Sequence, residues 1–287
     1  MNQINLFIEL IRLKKPIGFM LLFWPCAWGL TVAYDFKNNL SLYFFYLILF
    51  FLGSVLMRSA GCIVNDIFDK DFDKQVFRTK NRPIASEKIS IKIAILYSCI
   101  LCLMAFLVLL NFNYFTIILA LGSMPLAFTY PLMKRFTYWP QFFLGITFNY
   151  GLILGWTSIK AELNIIPIIF YLGAIFWTLA YDTIYGYQDI KDDEIIGLKS
   201  TSIKFKKNPS MVLKIFYTLF SLSLILVGYL MNLDLIYFAI ISIAIFHMFF
   251  LQIYKLNIAN PSNCFKIFKS NNLLGFIIFL GIYLGKN

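Results

Sequence analysis

The chain reads as a series of long apolar runs separated by short charged connections. The runs fall at 17–34, 41–64, 91–110, 114–133, 140–159, 165–185, 211–230, 235–254 and 271–285. About 20 apolar residues at 1.5 Å rise each cross a bilayer as a helix, so nine spans are expected. The runs are continuous and not alternating, which argues against a strand-built barrel. The fourth run is weakened by Pro125 and Pro131, and the last is short. Ahead of the first run, Ile4, Leu6, Phe7, Leu10 and Ile11 have the spacing of a short amphipathic helix. The expected fold is an all-α integral membrane bundle of about nine transmembrane helices, with residues 1–287 forming a single membrane-embedded domain.

Composition agrees and excludes other classes. Hydrophobic residues make up 60% of the chain and charged residues 14%, where a soluble domain carries roughly 25% charged residues. With 32 Phe and a mean hydropathy of +0.77, the apolar excess must face lipid. A soluble domain, a disulfide-stapled secreted module and a disordered chain are all ruled out. The net charge of +11 would suit a nucleic-acid binder, but its distribution points elsewhere. With the N-terminus placed in the cytoplasm, 21 of the 25 Lys and Arg fall on the cytoplasmic side. Lys37, Lys160 and Lys286 fall outside, and Arg58 lies within a span. This is the positive-inside pattern, so the partner is a lipid bilayer and no nucleic acid is expected. Residues 1–16 have neither a signal-peptide layout nor the Arg- and Ser-rich character of a transit peptide. A bacterial inner membrane is the expected location.

The acidic residues are clustered. Nine of fourteen lie in two segments, Asn65–Asp73 and Asp182–Glu194, at the cytoplasmic ends of the second and sixth spans. Asn65, Asp69 and Asp73 are four apart and share a helix face. Asp182, Asp189 and Asp193 are spaced seven and four and also share one. Two carboxylate stripes at one depth repel unless cations bridge them. Mg²⁺ takes oxygen ligands, usually one or two carboxylates together with substrate phosphates, so the pair suits a diphosphate held through Mg²⁺. Arg78, Lys80, Arg82 and Lys199 stand near enough in sequence to contact outer phosphate oxygens. A solvated acidic cap is the bland alternative for either segment alone.

Arg58 sits inside an apolar run, seven residues before Asn65 and on the same helical face. A charge at that depth is costly and faces a bundle interior or a cavity, where it either pairs an Asp or binds an anionic co-substrate. Tyr130 and Lys134, four apart, end the fourth span as either an interface anchor or a phenol–ammonium pair. Cys99 and Cys102 form a CxxC with no His or basic residue beside it, and His247 is read as packed.

Four stretches, in order, carry a resemblance: Ala60–Asp66, Arg78–Pro83, Tyr130–Arg135 and Tyr181–Tyr185. With them the chain resembles the membrane aromatic prenyltransferases, most closely the branch that acts on 4-hydroxybenzoate. The likeness runs from Arg12 to Thr201 and weakens beyond it, and Ser86-Glu87 stands where a Ser-Gly pair is common. The family's NDxxDxxxD falls on Asn65, Asp66, Asp69 and Asp73, and its second DxxxD on Asp189 and Asp193. The resemblance implies nine helices around a central cavity and transfer of a polyprenyl group from polyprenyl diphosphate to 4-hydroxybenzoate. It implies Mg²⁺ on Asn65, Asp69, Asp73, Asp189 and Asp193, with the four Asp essential to catalysis. Arg78, Arg82 and Lys134 would supply positive charge, and Arg58, Tyr130 and Asp182 would complete substrate binding. Asp182 or a motif Asp would serve as the base. The haem O and menaquinone branches share the Asp motifs and remain alternatives. A CDP-alcohol phosphotransferase would need a Gly- and Arg-containing motif that the chain lacks. A transporter would place its acids near the midplane, where only Arg58 is found.

Overall fold

In the computed structural model, which describes residues 3–37 and 39–286, the regular elements are all helices. A short helix α1 (Gln3–Leu10) precedes α2 (Ile17–Ala33), α3 (Leu40–Phe68) and the single turn α4 (Lys70–Asp73). Next come α5 (Ile91–Leu109) and α6 (Tyr114–Thr129), a 3₁₀ turn at Tyr130–Leu132 and the short α7 (Met133–Phe136). The long helices α8 (Pro140–Lys160) and α9 (Ile165–Gly186) follow, then the short α10 (Ile190–Ile195) and α11 (Thr201–Lys204). Helices α12 (Pro209–Leu230), α13 (Leu235–Phe246) and α14 (Pro261–Lys286) complete the fold, α13 running on as a π-helix over His247–Tyr254.

Eight of these helical stretches are long and apolar enough to cross a membrane, and α2 is a shorter apolar helix. Together they account for the nine expected spans among the described residues. Side-chain caps start several of them where the sequence leaves the apolar runs. Asn39, Ser90, Asn113 and Asn164 each accept a hydrogen bond from a backbone N–H of the first turn.

Two spans differ from their expected bounds. The fourth continues through Pro125 and, after the 3₁₀ turn, as far as Phe136. The last starts ten residues earlier than expected, at Pro261. Polar residues had broken its apolar run, yet the helix satisfies them internally. Trp177 Nε1 donates to Asn271 Oδ1 at 2.8 Å, and Trp24 Nε1 donates to Asn272 Oδ1 at 2.9 Å. His247 is buried, with Nδ1 3.2 Å from Gln252 Nε2. The same Gln252 bonds Asn271.

Helix α2 lies at the centre, and small residues let it approach its neighbours. A Cβ on Gly29 would sit 2.0 Å from Leu152 O, and one on Gly155 would sit 2.3 Å from Cys26 O. With water absent on the lipid side, close backbone packing of this kind is a main source of helix association. Trp28 fills the core beside it, stacked on Phe170 and in contact with Trp177. Helix α1 forms no span. Its Leu10, with Ile11 just beyond it, is buried against Ala60, Ile63, Ile84 and Leu101.

The alternation of spans carries a testable consequence. In a Cys-free background, single cysteines at 80 and 204 should label from one side of the membrane and a cysteine at 37 from the other. Labelling of 37 and 80 from one side would overturn the nine-span path.

Candidate active site

The two acidic segments occupy the ends of α3 and α9, and the loops that follow fold back over them. Helix α3 stops at Phe68. Asp69 leaves helical geometry (φ −94°, ψ 3°), and α4 restarts the chain. The four-residue stagger survives this kink, because Asp69 N donates to Asn65 O at 2.9 Å and Asp73 N to Asp69 O at 2.8 Å. On the other side, Asp189 begins α10, and Asp193 N donates to Asp189 O at 2.9 Å.

The carboxylates do not face one another unpaired; protein cations stand between them. Lys134 Nζ lies 2.5 Å from Asp69 Oδ2, whose other neighbour is the Asn65 amide at 2.9 Å. Arg82 bonds Asp73 at 2.7 Å and Asp66 at 3.2 Å. Arg78 grips Asp189 through Nε, at 2.8 and 3.1 Å, and through Nη2, and its guanidinium lies over the Tyr185 ring. The repulsion expected of two acidic stripes is therefore already relieved by Lys and Arg, and does not by itself demand a metal. Asp193 is the exception among the four, with no ion pair among the described residues. Burial and the neighbouring Asp189 carboxylate push its carboxyl up to about 6, against the opposing pull of Lys134 and Arg78.

The expected residues divide into two levels. Asn65, Asp69, Asp73, Arg78, Arg82, Lys134, Asp189 and Asp193 form the charged cluster. Arg58 and Tyr130 line a separate apolar cavity of about 300 Å³. The Arg58 guanidinium lies 5.5 Å from the centre of the Phe148 ring. Its Nε is buried without a hydrogen-bond partner, and no carboxylate lies within ion-pair distance of it among the described residues. Arg58 thus makes no direct ion pair among the described residues, although Asp182 lies within electrostatic reach of it. Asp182 sits on α9, four residues before the helix ends.

Two residues expected near phosphate stand aside from the cluster. Lys80 lies over the exposed Phe77 ring, and Lys199 donates to Phe136 O at 3.4 Å. Lys199 instead serves through its backbone, its N–H donating to Lys134 O at 3.0 Å and so fixing the loop that carries Lys134. Two residues had been given no role of their own in the site. Asp66 is 1% exposed and ion-pairs both Arg12 and Arg82. Arg12 had been counted only as a topological charge. The signal available for Asp66 was its position in the Asp motif, seven residues before Asp73 and hence on the same helix side.

Comparison with known proteins shows the family. The profile of the UbiA prenyltransferase family matches residues 22–279. A human protein named "4-hydroxybenzoate polyprenyltransferase, mitochondrial" is 43% identical over 283 residues, covering 97% of this chain and 75% of that protein. The Drosophila pseudoobscura pseudoobscura protein of the same name is 42% identical over 97% of this chain and 70% of its own length. Among solved structures, the apo form of a UbiA homolog from Aeropyrum pernix K1 superposes with a TM-score of 0.77 at 22% identity, over 93% of this chain and 98% of that one. A UbiA homolog from Archaeoglobus fulgidus bound to DMAPP and Mg²⁺ gives 0.67 at 19% identity, over 95% and 98%. At these identities the structures bear on the fold alone.

The names of the sequence relatives correct one expectation. The relatives are named mitochondrial, which overturns the expected bacterial inner membrane. The earlier placement rested on the composition of residues 1–16. In the fold Leu10 and Ile11 are buried and Arg12 is ion-paired, so packing accounts for that composition. Placement as a multi-pass membrane protein stands. The helical bundle, the paired Asp-rich ends and a family match over residues 22–279 lead to one conclusion: the chain belongs to the UbiA prenyltransferase family.

Proposed function

We propose that the protein transfers a polyprenyl group from polyprenyl diphosphate to the ring carbon ortho to the hydroxyl of 4-hydroxybenzoate, a step of ubiquinone biosynthesis. One observation carries the reading: a charged cluster of interleaved Asp, Arg and Lys lies along α3 from an apolar cavity lined by Arg58, whose Nε is buried without a hydrogen-bond partner. The shared name of the sequence relatives supports this branch over the haem O and menaquinone branches.

The donor set fits Mg²⁺. All candidate ligands are oxygens, from Asn65, Asp69, Asp73, Asp189 and Asp193, and Asp69 Oδ1 is buried without a partner. No three acidic, His or Cys groups among the described residues converge closely enough to hold an ion unaided. An ion held there would need its shell completed by substrate phosphates. Bound there, Mg²⁺ would neutralise charge on the diphosphate leaving group.

The chain's own residues do the rest. Lys134, Arg78 and Arg82 are already in place to follow negative charge onto the departing diphosphate. The allylic C–O bond breaks with its electron pair leaving on the diphosphate. The resulting cation is kept from water by the apolar cavity, whose lining includes the Phe148 and Tyr130 rings. The acceptor ring carbon forms the new bond, and the ring proton passes to a carboxylate, for which Asp182 is the candidate. Membranes carrying the protein, given 4-hydroxybenzoate, a set of polyprenyl diphosphates and Mg²⁺, should yield a product whose mass is the sum of acceptor and prenyl group less one hydrogen. No such product with any donor would refute the assignment.

Arg58 has a separate test. A carboxylate entering an apolar cavity must be paired, because an unpaired buried charge is very costly. The Arg fork matches a planar carboxylate better than an ammonium does. Arg58→Lys should therefore raise KM for 4-hydroxybenzoate roughly tenfold to a hundredfold, the worth of a charge-assisted bond of about 1.5–3 kcal/mol. KM for the diphosphate should stay nearly unchanged. A defect confined to the diphosphate or to the Mg²⁺ requirement would instead assign Arg58 to the charged cluster.

A further inference from the structure

One wall of the 300 Å³ cavity is a single face of α3, to which Gly53, Ser54, Met57, Arg58 and Gly61 all contribute. At 100° per residue, Asn65 and Asp69 continue that face into the charged cluster. With 1.5 Å rise per residue, Gly61 lies about 12 Å from Asp69 along the axis, and Gly53 about 12 Å deeper. The wall thus leads from the site of the diphosphate into the membrane.

The two glycines on this wall differ from those that bring helices together. A Cβ on Gly53 or Gly61 would meet no atom within 4 Å, whereas one on Gly29, Gly151 or Gly155 would strike a neighbouring helix within 2.3 Å. Helix packing does not require glycine at 53 or 61. A glycine inside a helix is also less stable than alanine. What the missing side chains provide is open space along α3.

Phe50 and Phe112 cap the far end of that space with ring centres 4.6 Å apart. Sideways it reaches the lipid face, because Phe106 of α5 and Leu121 of α6 both line the cavity and are 38% and 47% exposed. About 300 Å³ is the volume of roughly ten water molecules. That is room for the acceptor ring and the first isoprene units, so the remainder of a long tail must leave.

We propose that Gly53 is a specificity-determining residue for donor length: the isoprenoid tail runs from the charged cluster along α3, passes over Gly53, and enters the bilayer between α5 and α6. This rests on the prenyl-transfer reading above. The bare α3 wall leads a tail toward the exposed side of the cavity at Phe106 and Leu121.

The test compares kcat/KM for geranyl diphosphate, with two isoprene units, and for a donor of eight units, in wild type and Gly53→Leu. One methylene more or less in an apolar pocket changes discrimination by roughly 10- to 200-fold. The long-to-short ratio of kcat/KM should fall in Gly53→Leu by an amount in that range. Gly53→Ala should move it the same way by less, and gives the answer if the Leu variant does not accumulate. Gly122→Leu supplies the control, since Gly122 lies on an exposed face of α6 with equally open space around it and does not line the cavity. Its ratio should match wild type. An unchanged ratio in Gly53→Leu and Gly53→Ala, or an equal change in Gly122→Leu, would overturn the proposal. A wild-type protein that transfers neither donor would refute the prenyl-transfer reading instead, which keeps the two failures distinct.

Discussion

Asp69→Ala and Asp189→Ala should each lower turnover by about 10³-fold or more, while the proteins still insert and fold. Metal neutralisation of a leaving group is worth several kcal/mol, and each 1.36 kcal/mol is a factor of ten in rate. The two residues fail in different surroundings. Asp69 has one buried oxygen without a partner, and its other oxygen is held by Lys134 and Asn65. Asp189 is fully engaged by Arg78. Removing either frees a cation beside the diphosphate, so tighter binding of inorganic diphosphate combined with lost turnover would separate a metal defect from simple charge loss. EDTA should stop the wild-type protein and Mg²⁺ should restore it. Turnover near wild type in either variant at saturating Mg²⁺ would remove that residue from the ligand set.

Much of this arrangement was legible because a bilayer leaves so little freedom. A crossing segment must be helical and about 20 residues long, which is why α3, α5, α8, α9 and α12 fall close to their apolar runs. Acids are scarce in such a chain, so two clusters at helix ends stood out. The cation partners were harder to see. Lys134 meets Asp69 from 65 positions away and Arg78 meets Asp189 from 111, and no local spacing encodes such pairs. The early start of α14 was hidden for a related reason. Asn271 and Asn272 look like a break in an apolar run until their partners on α9, α2 and the π-helix are known. A central cavity was expected, but its glycine lining was invisible, since a glycine that avoids a clash and one that leaves a space are the same letter.

Asp66 gives the second large effect, and it should appear as lost stability. Its carboxylate is 1% exposed and receives both Arg12 and Arg82, the second at 3.2 Å. Arg82 passes on to Asp73 at 2.7 Å, so charges alternate along a chain of four side chains. Arg12 joins it from a left-handed backbone conformation, φ 55°. Such a conformation costs of order 1–3 kcal/mol in a non-glycine residue and persists where the surroundings impose it. Removing one member of a buried ion pair leaves the other charge uncompensated, at about 3–5 kcal/mol. Asp66→Ala should therefore destabilise the protein by about that amount in a thermal or denaturant melt in detergent. Adding Arg12→Gly to Asp66→Ala should recover part of the loss, because it removes both an unpaired guanidinium and the backbone strain. Mg²⁺ affinity should weaken too, although Asp66 is not among the candidate ligands, since Arg82 then holds Asp73 without its second anchor. An Asp66→Ala protein that melts like wild type would show that water or another group replaces the carboxylate, and would end the case for α1 being fastened to the site through Arg12.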